Sequence, residues 1–270
     1  MKKSVLSLGV VVLLLGLIVC TSEAGKWSGE FICPPCGSTC DKLFFDQAGK
    51  CPHCGMTLVR RDSLPTTGQK NVAILVFEGM EILDFSGPAE VFASTGEFRV
   101  FTVAATKDPI ISQGFVKILP EFSIADCPKP DIIVLPGGNM TAPLEDPKII
   151  RWVQSSEPDL EVALSVCTGA FILEKAGLLD GKKATTFHNA IADLRKKAAK
   201  TEVLENVRWV DNGKIITTAG VSAGIDGSLR VVERLLGRDK ALATARYMEY
   251  DKWNPDEGLI VDPKERKVKN

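Results

Sequence analysis

Val162-Ala163-Leu164-Ser165-Val166-Cys167-Thr168-Gly169-Ala170 opens as an apolar run, ends that run on a cysteine and passes at once into small residues. Runs of this kind, without polar alternation, suit strands buried on both faces of a parallel sheet. Thr168, Gly169 and Ala170 permit a sharp strand-to-helix turn, which lifts a nucleophile above the sheet and leaves backbone N–H groups beside it. A helix N-terminus after such a turn favours the thiolate and lowers a cysteine pKa below its free value of about 8.5. The same residues equally suit a buried structural cysteine, because free Cys packs as a small hydrophobe.

Working outward, comparable apolar runs occupy residues 72–77, 100–104 and 132–135, and helix-like patterns occupy 89–94, 147–156, 170–176 and 225–236. Alternating strands and helices predict an α/β fold, a doubly wound sheet with helices on both faces. Ligands in such sheets bind at the carboxyl ends of strands, so chemistry is expected in the loops after Phe77, Leu135 and Val166. With 33 Lys and Arg against 34 Asp and Glu in 270 residues, the chain lacks the basic footprint of a nucleic-acid binder. No nucleic-acid partner is expected.

The ends divide differently. Lys2 and Lys3 precede an apolar stretch at 5–19, too short for a membrane span, with a small-x-small site at Ser22-Glu23-Ala24. Residues 1–24 are therefore read as a signal peptide and the protein as exported, periplasmic or secreted. Leu17-Ile18-Val19-Cys20 leaves lipid anchoring through Cys20 as the alternative. Residues 30–60 form a cysteine-rich module, 61–70 a linker rich in Pro, Thr and Gly, 71–252 the α/β domain and 253–270 a charged tail.

Several segments carry a resemblance. Residues 165–170 with Ala176-Gly177-Leu178-Leu179-Asp180-Gly181, Phe77-Glu78-Gly79 running to Phe92, Leu135-Pro136-Gly137-Gly138, Ala219-Gly220-Val221-Ser222-Ala223-Gly224-Ile225-Asp226 and Met248-Glu249-Tyr250 follow one another as in the ThiJ/PfpI superfamily. That superfamily is class I glutamine amidotransferase-like, and the chain most resembles its cysteine isonitrile hydratase branch. The resemblance implies a flavodoxin-like sandwich, a homodimer and a small-molecule substrate. It also implies that Cys167 is the nucleophile and that Asp84 bonds to it, protonated so that like charges do not oppose each other. Read from its neighbours alone, Asp84 is equally a helix N-cap, with Pro88 close downstream. Thr168 and Gly138 would offer N–H groups to developing charge.

One departure stands out. Many relatives place a histidine after the Ala-Thr-Thr strand, where this chain has Phe187 with His188 behind it. Adjacent strand residues face opposite ways, so His188 is expected to point away from the sulfur.

In the N-terminal module, Cys33-Pro34-Pro35-Cys36 and Cys51-Pro52-His53-Cys54 are two C-x-x-C knuckles separated by 14 residues. This spacing reads as a zinc-ribbon-like tetrahedral site of Cys33, Cys36, Cys51 and Cys54, with Cys40 and His53 in reserve. The stretch 49–56 resembles the heavy-metal-binding domain found beside bacterial metal transporters, and Met56 suits a soft metal such as Cu(I). Disulfides are the competing reading for an exported chain. Cys127, in a loop, is read as structural.

The expected function is a cysteine-dependent hydratase acting on a small electrophile, isonitrile hydration being the nearest family activity, with no cofactor for catalysis and zinc or another soft metal in the module. The alternatives are a glyoxalase- or deglycase-like enzyme on reactive carbonyls, and a non-catalytic redox or metal stress sensor. A DNA-binding regulator is disfavoured, because the charged tail does not read as a helix-turn-helix.

Overall fold

Val72 and Ile74 are fully buried in one apolar cluster and Ala73 and Leu75 in another, the two-residue period of a strand covered on both faces. A computed structural model describes residues 31–33, 43–60, 68–251 and 253–261 of the chain. The chain divides between Leu64 and Pro65 into two compact units. The expected signal peptide, Cys20, Cys36, Cys40, linker residues 61–67 and tail residues 262–270 lie outside the described residues.

The first unit holds an antiparallel sheet of β1 (Phe31–Ile32), β2 (Phe44–Phe45) and β3 (Val59–Arg60), ordered β2-β1-β3. Its described core is small: Cys33, Cys51 and Leu58 are buried, with Phe31, Phe45 and Met56 packed against them.

The second unit runs β4 (Lys70–Leu75), α1 (Ile82–Thr95), β5 (Phe98–Ala104), a hairpin of β6 (Ile110–Ser112) and β7 (Val116–Ile118), β8 (Phe122–Ser123) and β9 (Ile132–Leu135). It continues through α2 (Thr141–Glu145), α3 (Pro147–Ser156), β10 (Val162–Ser165), α4 (Ala170–Lys175), β11 (Lys183–Ala184), α5 (Ile191–Lys197) and β12 (Glu202–Val203). It closes with β13 (Trp209–Asp211), β14 (Ile215–Thr218), α6 (Ala223–Leu236), α7 (Arg238–Tyr247) and β15 (Leu259–Ile260).

Eight strands form one sheet in the order β15-β13-β14-β10-β9-β4-β5-β8. Strands from β14 to β8 are parallel, whereas β13 pairs antiparallel to β14. Helices α3 and α4 send Ile149, Val153 and Ile172 into one cluster, while α1 and α6 send Val91, Phe92 and Leu229 into the other. The fold is the expected flavodoxin-like sandwich. Among the described residues no helix is long and apolar enough to cross a membrane.

Two expectations need correction. The helix expected at 89–94 begins at Ile82 and carries Pro88 inside it. Gly-Pro reads locally as a break, but Gly87 lets α6 approach: a Cβ there would sit 3.0 Å from Ile225 Cγ1. Packing of α1 on α6 thus overrides the local signal, and the proline removes only one intrahelical donor. The second correction is the domain end. Leu259 and Ile260 pair in parallel with Val210 and Asp211, and Trp253 and Val261 are buried, so the sheet takes in chain read as tail.

Candidate active site and cysteine cluster

From β4 the chain moves to β5 on one side of the sheet, then returns to β9, β10 and β14 on the other. The carboxyl ends of β4 and β9 therefore frame the crevice where such sheets bind ligands. Ser165 lies opposite Leu135 in register, which brings the loops after β9 and β10 to the same height. Met80 bridges Gly138, and Glu81 N–H donates to Gly137 O at 2.9 Å, tying the loop after β4 to them.

Cys167 sits where the expected elbow places it, in a 3-10 turn (Cys167–Gly169) leading into α4. Its φ of 56° is left-handed, a conformation costly to a residue with a side chain and held only by its surroundings. Cys167 N–H donates to Ala219 O at 3.0 Å, and the buried Thr186 hydroxyl donates to Cys167 O at 2.7 Å. Gly137 completes the turn: a Cβ on it would lie 2.5 Å from Thr168 Oγ1 and 2.9 Å from Cys167 Cβ. Only glycine allows that approach.

Asp84 is fully buried in the first turn of α1 and is not its cap; Glu81 holds the N-cap position and makes no side-chain capping bond. Asp84 Oδ2 accepts from Gly137 N–H at 2.8 Å, while Oδ1 makes no hydrogen bond of normal geometry. The Cys167 thiol and Val221 N–H face the carboxyl more loosely. Burial, helped by the charge of Glu81, pushes the Asp84 pKa up to about 7, although Gly137 N–H, the thiol and Val221 N–H draw it back.

The Cys167 pKa departs from the sequence expectation. Burial first, then the Asp84 charge, push the thiol up to about 12, against the pull of the Thr168 N–H and hydroxyl. Desolvation outweighs the helix N-terminus because the cysteine is only 6% exposed. The two groups titrate as a pair, because burial and their mutual charge both oppose ionising the two together.

Thr168 and Gly138 are together, but differently from expectation. Gly138 N–H donates to Thr168 Oγ1 at 3.0 Å, so it is committed within the protein and does not point at a substrate.

Two residues here escaped sequence reasoning. Val221 is left-handed at φ 54°, rare for a β-branched residue, and this turns its N–H towards Asp84. Thr186 braces the Cys167 carbonyl. Val221 lay within a matched segment, whose Asp226 accepts from Arg208 Nε and from Tyr250 Oη, at 2.8 and 3.0 Å.

His188 is exposed, and Phe187 packs into the cluster that contains Cys167. The reason expected for an outward orientation does not apply. β11 ends at Ala184, and residues 188–190 form a 3-10 turn, so strand alternation does not decide the direction. Cys127 is half-buried, its thiol pKa raised by burial.

In the first unit, the Sγ atoms of Cys33, Cys51 and Cys54 lie within 4.8 Å of one another and could hold a metal ion. The second knuckle is local: Cys51 N–H donates to Met56 O at 2.7 Å, and Gly55 N–H to Cys51 O at 2.8 Å. Cys33 and Cys54 Sγ are 3.2 Å apart, nearer than the roughly 3.8 Å that Zn–S bonds of about 2.3 Å set across a tetrahedron. A metal would have to spread this pair slightly. His53 is exposed, and Met56 packs in the small core.

Comparison with known proteins follows the second unit. A family model described as DJ-1/PfpI matches residues 70–234. The chain is 35% identical over 180 residues to an isonitrile hydratase of Pseudomonas putida, covering 66% of this chain and 78% of that protein. It is 26% identical over 189 residues to DJ-1beta of Drosophila melanogaster, covering 66% and 95% of the two. A crystal structure of a ThiJ/PfpI family protein from Pseudomonas syringae superposes with a TM-score of 0.64 at 30% identity, covering 70% of this chain and 78% of that one.

Proposed function

The chain belongs to the DJ-1/PfpI family, and from that premise we propose that it is an exported, cysteine-dependent enzyme that hydrates isonitriles to N-substituted formamides. The observation that carries this reading is the buried Cys167–Asp84 pair at the carboxyl ends of the strands, with Cys167 on a left-handed elbow and Asp84 held by the Gly137 N–H.

Cys167 sulfur attacks the isonitrile carbon while the proton of the pair, relayed by Asp84, goes to that carbon. This gives a thioimidate, R–N=CH–S–Cys167. Water adds across the C=N bond, its hydrogen going to nitrogen and its hydroxyl to carbon. The C–S bond then breaks, the hydroxyl proton returns to the pair, and R–NH–CHO departs. Thr168 N–H and hydroxyl steady the sulfur, and Gly138 acts through Thr168 Oγ1.

An acid-base partner is needed, but an imidazole is not, and His188 is exposed. This favours hydration over carbonyl chemistry that relies on a histidine base. Purified protein given benzyl isocyanide should release N-benzylformamide, followed by proton NMR. Turnover of methylglyoxal with none of the isocyanide would replace this reading.

We further propose that the cysteine module binds zinc, with Cys36 as fourth ligand, and that the protein is a homodimer. The donor set of thiolates supports a borderline or soft ion. Fractionation with N-terminal sequencing tests export; a mature chain beginning at Met1 would contradict it.

A further inference from the structure

A groove of about 610 Å3 lies between the segment after β11 and the loop after β14. Its lining includes Thr186, whose hydroxyl donates to the Cys167 carbonyl, and Val221, whose N–H faces Asp84, so the groove is one residue removed from the pair. Phe187, Ile191 and Val207 give it an apolar wall. The charges on its rim are already matched, Glu205 by Arg195 at 2.6 Å and Arg208 by Asp226. A phosphate or carboxylate would have to compete with Asp226 for the Arg208 guanidinium, whereas a neutral group displaces only water.

We infer that this groove receives the non-reacting substituent of the substrate, a neutral and largely apolar group. The inference rests on the reading of Cys167 as the attacking atom. Cavities of about 300–1,000 Å3 accept ligands of drug size, and a three-carbon dicarbonyl would leave most of this one to water. Phe187, in the place where the resemblance expects a histidine, thus supplies a wall for the substituent. Its ring also fixes the loop after β14, because a Cβ on Gly220 would lie 2.4 Å from Phe187 Cδ2.

The test compares methyl isocyanide with benzyl isocyanide on the full chain. Burial of the ring should raise kcat/KM at least about tenfold for the benzyl compound, mainly through KM. Val207→Trp, which fills the groove, should cost benzyl isocyanide at least about tenfold more than methyl isocyanide. If that variant does not fold, His188→Trp at the exposed mouth serves the same comparison. Calorimetric binding of N-benzylformamide gives a readout independent of turnover. Equal kcat/KM for the two isocyanides, with equal losses in the variant, would overturn the groove and leave hydration standing. Binding of N-benzylformamide that the variant abolishes, with neither isocyanide turned over, would support the groove and remove the hydration reading. Neither turnover nor binding would overturn both.

Discussion

Cys167 and Cys51 are both buried thiols, 6% and 2% exposed, yet they are placed by opposite means. Cys51 belongs to a turn closed by hydrogen bonds between residues 49 and 58, with only a small described core behind it. Cys167 is held by Ala219, Thr186 and Gly137, residues that only the folded sheet brings together. A knuckle of the first kind gathers thiols that could hold an ion, which would then add to the stability of a small core. The second kind isolates one thiol beside one carboxyl, and burial makes ionisation of either costly. The comparison teaches that a buried cysteine is read by what it is buried against.

The largest expected effects separate the two sites. Cys167→Ser should lower isonitrile turnover by more than about 1,000-fold, as loss of a covalent nucleophile does. Metal content, measured by atomic emission, should stay the same. Cys51→Ser should do the reverse, losing metal while turnover persists. Loss of both properties in either variant would break the comparison.

Next comes Asp84→Asn. A positioned acid-base group contributes roughly 100-fold or more, and that loss is expected in kcat/KM. Stability should move the other way. The folded carboxyl, at about 7, binds its proton more tightly than the unfolded one at 3.8. Its contribution is thus fully present below pH 3.8 and is lost as pH rises through about 7, a difference of up to about 4 kcal/mol. Asp84→Asn should therefore be more stable than the parent at pH 8 in urea melts. Iodoacetamide should also label Cys167 faster in this variant, because one cause of its raised pKa is gone. A slower reaction would contradict the pairing.

Smaller effects sharpen the account. Thr186→Val removes the hydroxyl that braces the Cys167 carbonyl and should cost about tenfold in kcat, with Thr186→Ser restoring most of it. His188→Ala should cost under about tenfold. A loss matching that of Asp84→Asn would bring an imidazole back into the mechanism.

Much of this was legible in the chain itself. The strands at β4, β5, β9 and β10 announce themselves because burial on both faces demands apolar runs. The elbow at Cys167 follows from small residues at a strand end. Other features were hidden because they arise only from distant contacts. Gly87-Pro88 reads as a break until α6 is seen against α1. β13 and β15 are too short to stand out; each becomes a strand by adding to an existing edge. The thiol pKa was misjudged in direction, since the helix N-terminus is visible in sequence while desolvation is not. Val221 could not be foreseen, because a left-handed valine is a product of the surrounding fold.

The central claim, that Cys167 forms a bond to the isonitrile carbon, is tested most directly by trapping it. Acid quench of the enzyme turning over benzyl isocyanide, followed by peptide mass spectrometry, should find one isonitrile added at Cys167 and none in Cys167→Ser. An adduct at Cys127 or in the N-terminal knuckles, or unchanged turnover in Cys167→Ser with no adduct anywhere, would contradict the account.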